Sequence, residues 1–370
     1  MEYRLVVPCH FGLESTLSYE IKKLGGENVS VTDGKVSFSG DELTLAKANL
    51  WIATGERVLI EIGSFEARSF EELFQGVRAL PWEQYIGKLD EFPVVGHSLN
   101  SKLHSVPDCQ SIIKKAIVTR LGEKYGIRHF EESGARHRVR FSIHKDKVSV
   151  CLDTTGEGLH KRGYRRVSNA APIKETLAAG IVDLARIRRD TIVCDPMCGS
   201  GTFLIESAYK AHNIASGLRR SFEAQKWEQI PETVWQQVRT EAMDSIIKDS
   251  DFRAYGFDID EFACELSAAN AKKAGVASRI EVKQRDIRSH EPIKGAVTIV
   301  NPPYGERLLE IREAEQLYKV LGQKLCPDRD NPCFIISPHE EFERFFGRKA
   351  DKKRKLYNGM IKCDLYMYFK

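Results

Sequence analysis

The apolar positions of this chain fall into two regimes. Over about the first 150 residues, alternating runs and helical stripes are mixed; from Pro172 onward strands and helices alternate in regular order. Tyr3 to Pro8 reads as a strand. Leu13, Leu17, Ile21 and Leu24 then recur at helical spacing, with Gly25 placed to stop the helix. Val29–Val31 and Lys35–Phe38 flank Asp33-Gly34, a favoured two-residue hairpin turn, and Asp41 can cap a helix through Leu50. A second mixed unit follows. It has a strand from Arg57 to Ser64, a helix from Phe70 to Val77 and a strand from Val94 to Ser98. A helix starting at Pro107 carries Ile112, Ile113, Ala116, Ile117 and Leu121 on one face. Two alternating strands, Arg138–His144 and Lys147–Asp153, close the unit across Lys145-Asp146.

Pro172 suits the first turn of an amphipathic helix through Ile173, Leu177, Ile181 and Leu184. A strand at Thr191–Cys194, a glycine turn and a helix to about His212 come next. The polar stretch from Ser216 to Asp251, holding Phe222, Trp227 and Trp235, reads as a helical insertion. Strands are predicted at Arg253–Phe257, Ile280–Lys283, Val297–Val300, Cys333–Ile336, Lys355–Asn358 and Ile361–Phe369. Helices from Asp260 to Gly275 and from Glu313 to Leu325 separate some of them. The pattern predicts an α/β protein: a doubly wound, mainly parallel sheet with an antiparallel final strand, behind α+β units. Boundaries are expected at 1–55, 56–155, a connecting segment 156–171, and 172–370 with an insertion at about 216–251.

Composition narrows the setting. The chain of 370 residues can form several cores. It contains no run of about 18 apolar residues, and Met1-Glu2-Tyr3-Arg4 lacks the features of a signal peptide. Nine cysteines without a C-x-x-C argue against a disulfide framework or a zinc site, so a cytoplasmic protein without metal or membrane contact is expected. The net charge of +4 says little, but the cations cluster. Lys114, Lys115, Arg120, Lys124, Arg128, Arg136, Arg138 and Arg140 crowd one region, and Arg348 to Lys355 another. Between them, Thr154 to Arg166 is rich in glycine and cations. It reads equally as an exposed linker or as a segment that grips RNA, with Lys161, Arg162 and Arg165 on phosphates and Tyr164 stacking.

Four strand ends carry Asp195, Asp258, Asp286 and Asn301, where ligands bind in open α/β sheets. Asp195-Pro196-Met197-Cys198-Gly199-Ser200-Gly201-Thr202 is a strand end, a tight turn and a helix start, so a ligand can approach bare backbone. A G-x-x-x-x-G-K-[ST] phosphate loop is absent, and Asp195 ahead of the glycines repels a pyrophosphate while suiting a cationic amino group. Asp258 is placed for two ribose hydroxyls and Asp286 for the exocyclic amine of adenine. An adenosine with a cationic, amino-acid-like tail meets all of these, which describes S-adenosylmethionine. Asn301-Pro302-Pro303-Tyr304 suits methylation of an exocyclic base amine: an amide oxygen and a rigidly held carbonyl accept both N–H bonds, and Tyr304 can stack on the base.

The motif at 195–202, Asp258-Ile259-Asp260 and Asn301-Pro302-Pro303-Tyr304-Gly305-Glu306-Arg307 resemble class I, N-P-P-Y-type RNA methyltransferases. The front half, ending in Gly156-Glu157-Gly158-Leu159-His160-Lys161-Arg162-Gly163-Tyr164-Arg165, is similar to the ferredoxin-like and THUMP modules of that group. The resemblance is strongest to the RlmL type, the 23S rRNA guanine-N2 methyltransferases and their stand-alone relatives. It implies an enzyme that takes S-adenosylmethionine at Asp195, Pro196, Cys198, Gly199, Gly201, Thr202, Asp258, Ile259, Asp286 and Ile287. It implies that the Asn301 loop holds a guanine and that THUMP binds RNA, rRNA before tRNA. The alternatives are a tRNA guanosine-N2 enzyme, an N6-adenine methyltransferase on nucleic acid, and an RNA-binding protein without turnover.

Overall fold

The computed structural model describes residues 2–165, 173–305, 308–325 and 328–369. Arg166, Pro172, Glu306 and Arg307, each singled out above, lie outside the described residues. The front half runs β1 (Tyr3–Pro8), α1 (Glu14–Lys23), β2 (Glu27–Thr32), β3 (Lys35–Gly40), α2 (Glu42–Trp51), β4 (Leu59–Glu66) and α3 (Phe70–Arg78). It continues with β5 (Val94–Leu99), α4 (Val106–Tyr125), β6 (Val139–His144) and β7 (Lys147–Asp153). Short polar side chains start the helices: Asp41 accepts from the Thr44 N–H at 2.8 Å and Ser69 from the Glu72 N–H at 3.2 Å. The strands form one seven-stranded sheet in the order β2-β3-β1-β4-β7-β6-β5. Antiparallel pairing of β1 with β4 joins the two α+β units in that sheet.

The second half runs α5 (Glu175–Leu184), β8 (Ile192–Asp195), α6 (Thr202–Ala211), α7 (Glu232–Asp244), β9 (Arg253–Asp258), α8 (Glu261–Ala274) and β10 (Ile280–Gln284). Then come β11 (Ala296–Val300), α9 (Leu308–Leu325), β12 (Cys333–Ser337), α10 (Phe342–Phe346), β13 (Lys352–Asn358) and β14 (Ile361–Tyr368). The sheet order is β10-β9-β8-β11-β12-β14-β13. β8 to β12 are mutually parallel, and β14 is antiparallel to both its neighbours. All five residues of β12 are buried, as in a strand covered on both faces. The order reverses between β8 and β11, which opens a crevice at their carboxyl ends. Some elements differ from the sequence pattern: α5 begins at Glu175, past Ile173; α9 begins at Leu308 rather than Glu313; β13 begins at Lys352 rather than Lys355; and the short α10 was not expected.

The polar stretch at 216–251 is helical only in α7 and a short 3-10 turn at Glu223–Lys226. Its Phe222, Trp227, Trp235, Val238 and Ala242 are buried in the same core as Leu45, Leu50, Phe92 and Phe141 of the front half. Phe222 stacks on Trp235 at 5.5 Å, and Trp227 stacks on His137 at 4.4 Å while its indole N–H donates to the Arg136 carbonyl. A segment from the second half of the chain thus completes the core of the first. Among the described residues, no helix is long and apolar enough to cross a membrane.

Candidate active site

β8, β9 and β11 are parallel neighbours, so Asp195, Asp258 and Asn301 emerge on one edge of the sheet. The chain leaves β8 through a turn in which Gly199 and Gly201 have φ of +52° and +77°, conformations that side chains disfavour. Their surroundings differ. A Cβ on Gly201 would lie 2.3 Å from Ser267 Oγ, whereas one on Gly199 meets nothing within 4 Å. Gly201 therefore allows α6 to pack on α8, and Gly199 turns bare backbone toward open space.

That space is a cleft of about 620 Å³, within the usual range for small-ligand sites. Asp195, Cys198, Gly199, Thr202, Asp258, Ile259 and Asn301 to Tyr304 line it, together with Asn358, Gly359 and Ile361 of the β13–β14 turn. Pro196 and Gly201 shape the turn without lining the cleft. Asp195 is 2% exposed, and its Oδ1 accepts from the Met197 N–H at 3.1 Å. Burial, with Asp258 nearby, pushes its carboxyl up to about 8. An anion so placed gains from any cation that enters the cleft. Asp258 ties two turns together, accepting from the Gly199 N–H at 2.9 Å and from the Asp260 N–H at 3.0 Å. Ile259, 62% exposed, leaves an apolar face at the cleft wall. A buried lone carboxylate, a carboxylate with lone pairs to spare and an uncovered apolar face fit the tail, ribose and ring of S-adenosylmethionine.

Asp286 and Ile287 do not join the cleft. Asp286 caps its own 3-10 turn, accepting from the Arg288 backbone and guanidinium, and those bonds hold its carboxyl below the usual range. Ile287 is buried in the core around α9. Tyr304 also departs from expectation. It lines the cleft, but its hydroxyl points inward, donating to Asn301 Oδ1 at 2.7 Å and accepting from Asn358 Nδ2 at 3.1 Å. Its ring packs against the core of the C-terminal sheet, and burial raises the hydroxyl well above its ordinary range. Tyr318 donates to the Pro303 carbonyl at 3.1 Å. Asn358 was missed from the sequence; its Asn-Gly turn was visible, its place over the cleft was not.

A family model described as an RMKL-like methyltransferase domain matches residues 162–367, and models of the RlmL ferredoxin-like domain and the THUMP domain match 4–59 and 67–153. The chain belongs to the RMKL-like methyltransferases. It is 41% identical to YpsC of Bacillus subtilis (strain 168), provisionally named an RNA methyltransferase, over 100% of this chain and 96% of that one. It is 32% identical to the ribosomal RNA large subunit methyltransferase K/L of Psychromonas ingrahamii, covering 98% of this chain but only 49% of that enzyme. The crystal structure of SMU.472, provisionally named a methyltransferase and complexed with SAH, superposes with a TM-score of 0.93 at 40% identity, over 100% and 98% of the two chains. SAH is S-adenosylmethionine without its methyl group, and S-adenosylmethionine is the cofactor of this RMKL-like enzyme.

In this RMKL-like chain the basic segment after β7 needs correction. Arg162 is 1% exposed, and its guanidinium meets Glu206 at 3.4 Å and donates to the Leu159 and Ala53 carbonyls. Tyr164 is fully buried and donates to the same carboxylate at 3.0 Å. Neither reaches RNA, because both close a buried ion-pair cluster between the front half and α6. Arg165 is engaged by Thr202, the Ile173 carbonyl and Glu175. Lys161 is exposed and, among the described residues, pairs with the exposed Glu157. Much of the earlier basic cluster is also paired: Lys114 with Glu132, Arg120 with Glu83, Arg136 with Glu91, Arg138 with Glu223 and Arg140 with the buried Asp153.

Proposed function

We propose that this protein methylates the exocyclic N2 of a guanine in RNA, with large-subunit ribosomal RNA the substrate. The observation that carries the reading is the position of Asn301-Pro302-Pro303 on the same cleft as Asp195 and Asp258. S-adenosylmethionine, when bound, supplies a methyl group on a sulfonium, already activated for transfer. The difficulty lies with the acceptor, whose nitrogen lone pair is delocalised into the base. Asn301 Oδ1 accepts one N–H, and the Pro302 carbonyl accepts the other. Two acceptors in fixed directions favour a tetrahedral nitrogen whose lone pair faces the methyl. With the cofactor held at Asp195 and Asp258, the nitrogen lone pair would take the methyl group from the sulfonium, the C–S bond giving way as the N–C bond forms, and the surplus proton would leave to solvent. Alignment and oriented dipoles supply the rate, and no strong base is required.

The RNA substrate is supported by the THUMP domain and by the ribosomal RNA enzymes among the relatives. Purified protein with labelled S-adenosylmethionine and separate rRNA, tRNA and DNA pools tests the reading. Label is expected in rRNA as N2-methylguanosine. Label in N6-methyladenosine, transfer to tRNA alone, or no transfer even to immature rRNA overturns it.

A further inference from the structure

One wall of the cleft comes from an element with no part in the mechanism so far, the turn between β13 and β14. Asn358 lines the cleft there, and its Nδ2 donates to the Tyr304 hydroxyl at 3.1 Å. Cys363 Sγ lies 3.9 Å from the same oxygen and 3.6 Å from the Ile361 carbonyl, which is placed to take its single proton, and Tyr304 donates to Asn301 Oδ1 at 2.7 Å. Donor counting sets the direction of this chain. An amide N–H₂ only donates, and a phenol has a single proton to give. With Asn358 donating to the Tyr304 oxygen, its proton goes to Asn301, and the atom it meets there is the amide oxygen. That oxygen keeps a second lone pair for a ligand N–H. An amide turned over would offer N–H₂ to the N–H₂ of a target base, donor against donor.

Resting on the reading that Asn301 holds the target amine, we propose that Asn358 is a positioning residue. Through its bond to the Tyr304 hydroxyl it directs the Tyr304 proton toward Asn301, and so presents the Asn301 oxygen to the substrate. Tyr304 acts in this through its hydroxyl, not through a stacking ring.

Asn358→Asp tests the direction, because it keeps the shape but replaces the donor by an acceptor that takes the Tyr304 proton for itself. Tyr304→Phe keeps the ring and removes the hydroxyl. Both are expected to lower kcat by about tenfold or more, with KM for RNA and Kd for S-adenosylmethionine within about twofold of wild type. Asn358→Gln, which retains the donor, is expected to recover most of the rate lost in Asn358→Asp. Wild-type kcat in Tyr304→Phe or in Asn358→Asp overturns the proposal. A crystal structure of Asn358→Asp gives a readout independent of turnover: the Tyr304 hydroxyl should turn to Asp and leave Asn301, and an intact Tyr304–Asn301 bond overturns the proposal too. If the wild-type protein methylates no RNA, the functional reading fails, while that structure still decides the positioning role.

Discussion

The carboxyl of Asp195 sits at about 8 in the folded protein, against 3.8 for an ordinary aspartate, because it is buried and faces Asp258. Between those values the folded state carries a proton that the unfolded chain has lost, so stability from this group falls as pH rises from about 4 to about 8, and the loss is complete above that. Asp195→Asn is therefore expected to raise the melting temperature of the cofactor-free protein at about pH 9, with little change below about pH 4. Scanning calorimetry across that window checks it. The same variant should bind S-adenosylmethionine at least about tenfold more weakly by isothermal titration, having lost a charge-assisted bond; unchanged affinity would remove Asp195 from the cofactor site. Asn301→Ala is expected to behave in the opposite way. Transfer should fall by about a hundredfold or more while cofactor affinity stays near wild type, since its loss disturbs only the oriented acceptor. Parallel loss of cofactor binding would count against a base-holding role.

At the scale of one turn, the two glycines after β8 separate packing from binding. Gly201→Ala combines a positive φ with a contact at 2.3 Å to Ser267, and a drop in melting temperature is expected. Gly199→Ala has the backbone penalty but an open neighbourhood, so stability should fall by only about 1 kcal/mol while cofactor affinity drops more steeply. Thermal shifts with and without S-adenosylmethionine distinguish them; equal behaviour would mean that Gly199 does not face the ligand. Features of this kind were legible in the chain. Asp41, Asp260 and Asp33-Gly34 announce their elements because caps and turns act over three or four residues, and the strand-end acids follow from α/β topology. Contacts between distant residues were not. Nothing in periodicity links Asn301 to Asn358, or Trp235 to the core around Leu50. Arg162 and Tyr164 looked like RNA contacts because a cation-rich glycine segment has the same composition whether it faces solvent or a buried carboxylate such as Glu206.

Over the whole molecule, that carboxylate fixes how the halves meet. Glu206 lies on α6, Arg162 and Tyr164 on the connecting segment, and Arg162 also grips the Ala53 carbonyl after α2. Arg162→Ala leaves Glu206 buried without its cation, and a loss of about 3–5 kcal/mol in urea unfolding is expected; a change under about 1 kcal/mol would mean that the pair carries no such role. Lys161→Ala, at an exposed position, should leave stability alone and reduce the salt dependence of RNA binding by about one ion. An unchanged salt slope would place the RNA path elsewhere. The seating of Phe222, Trp227 and Trp235 in the front-half core also imposes an order on synthesis. As the polypeptide emerges from a ribosome, β7 appears well before these rings have been translated. The nascent front sheet waits with its apolar seat uncovered until α7 arrives. Birth order thus binds the two halves into one folding event, and a truncated product ending at the connecting segment keeps that sticky seat for good.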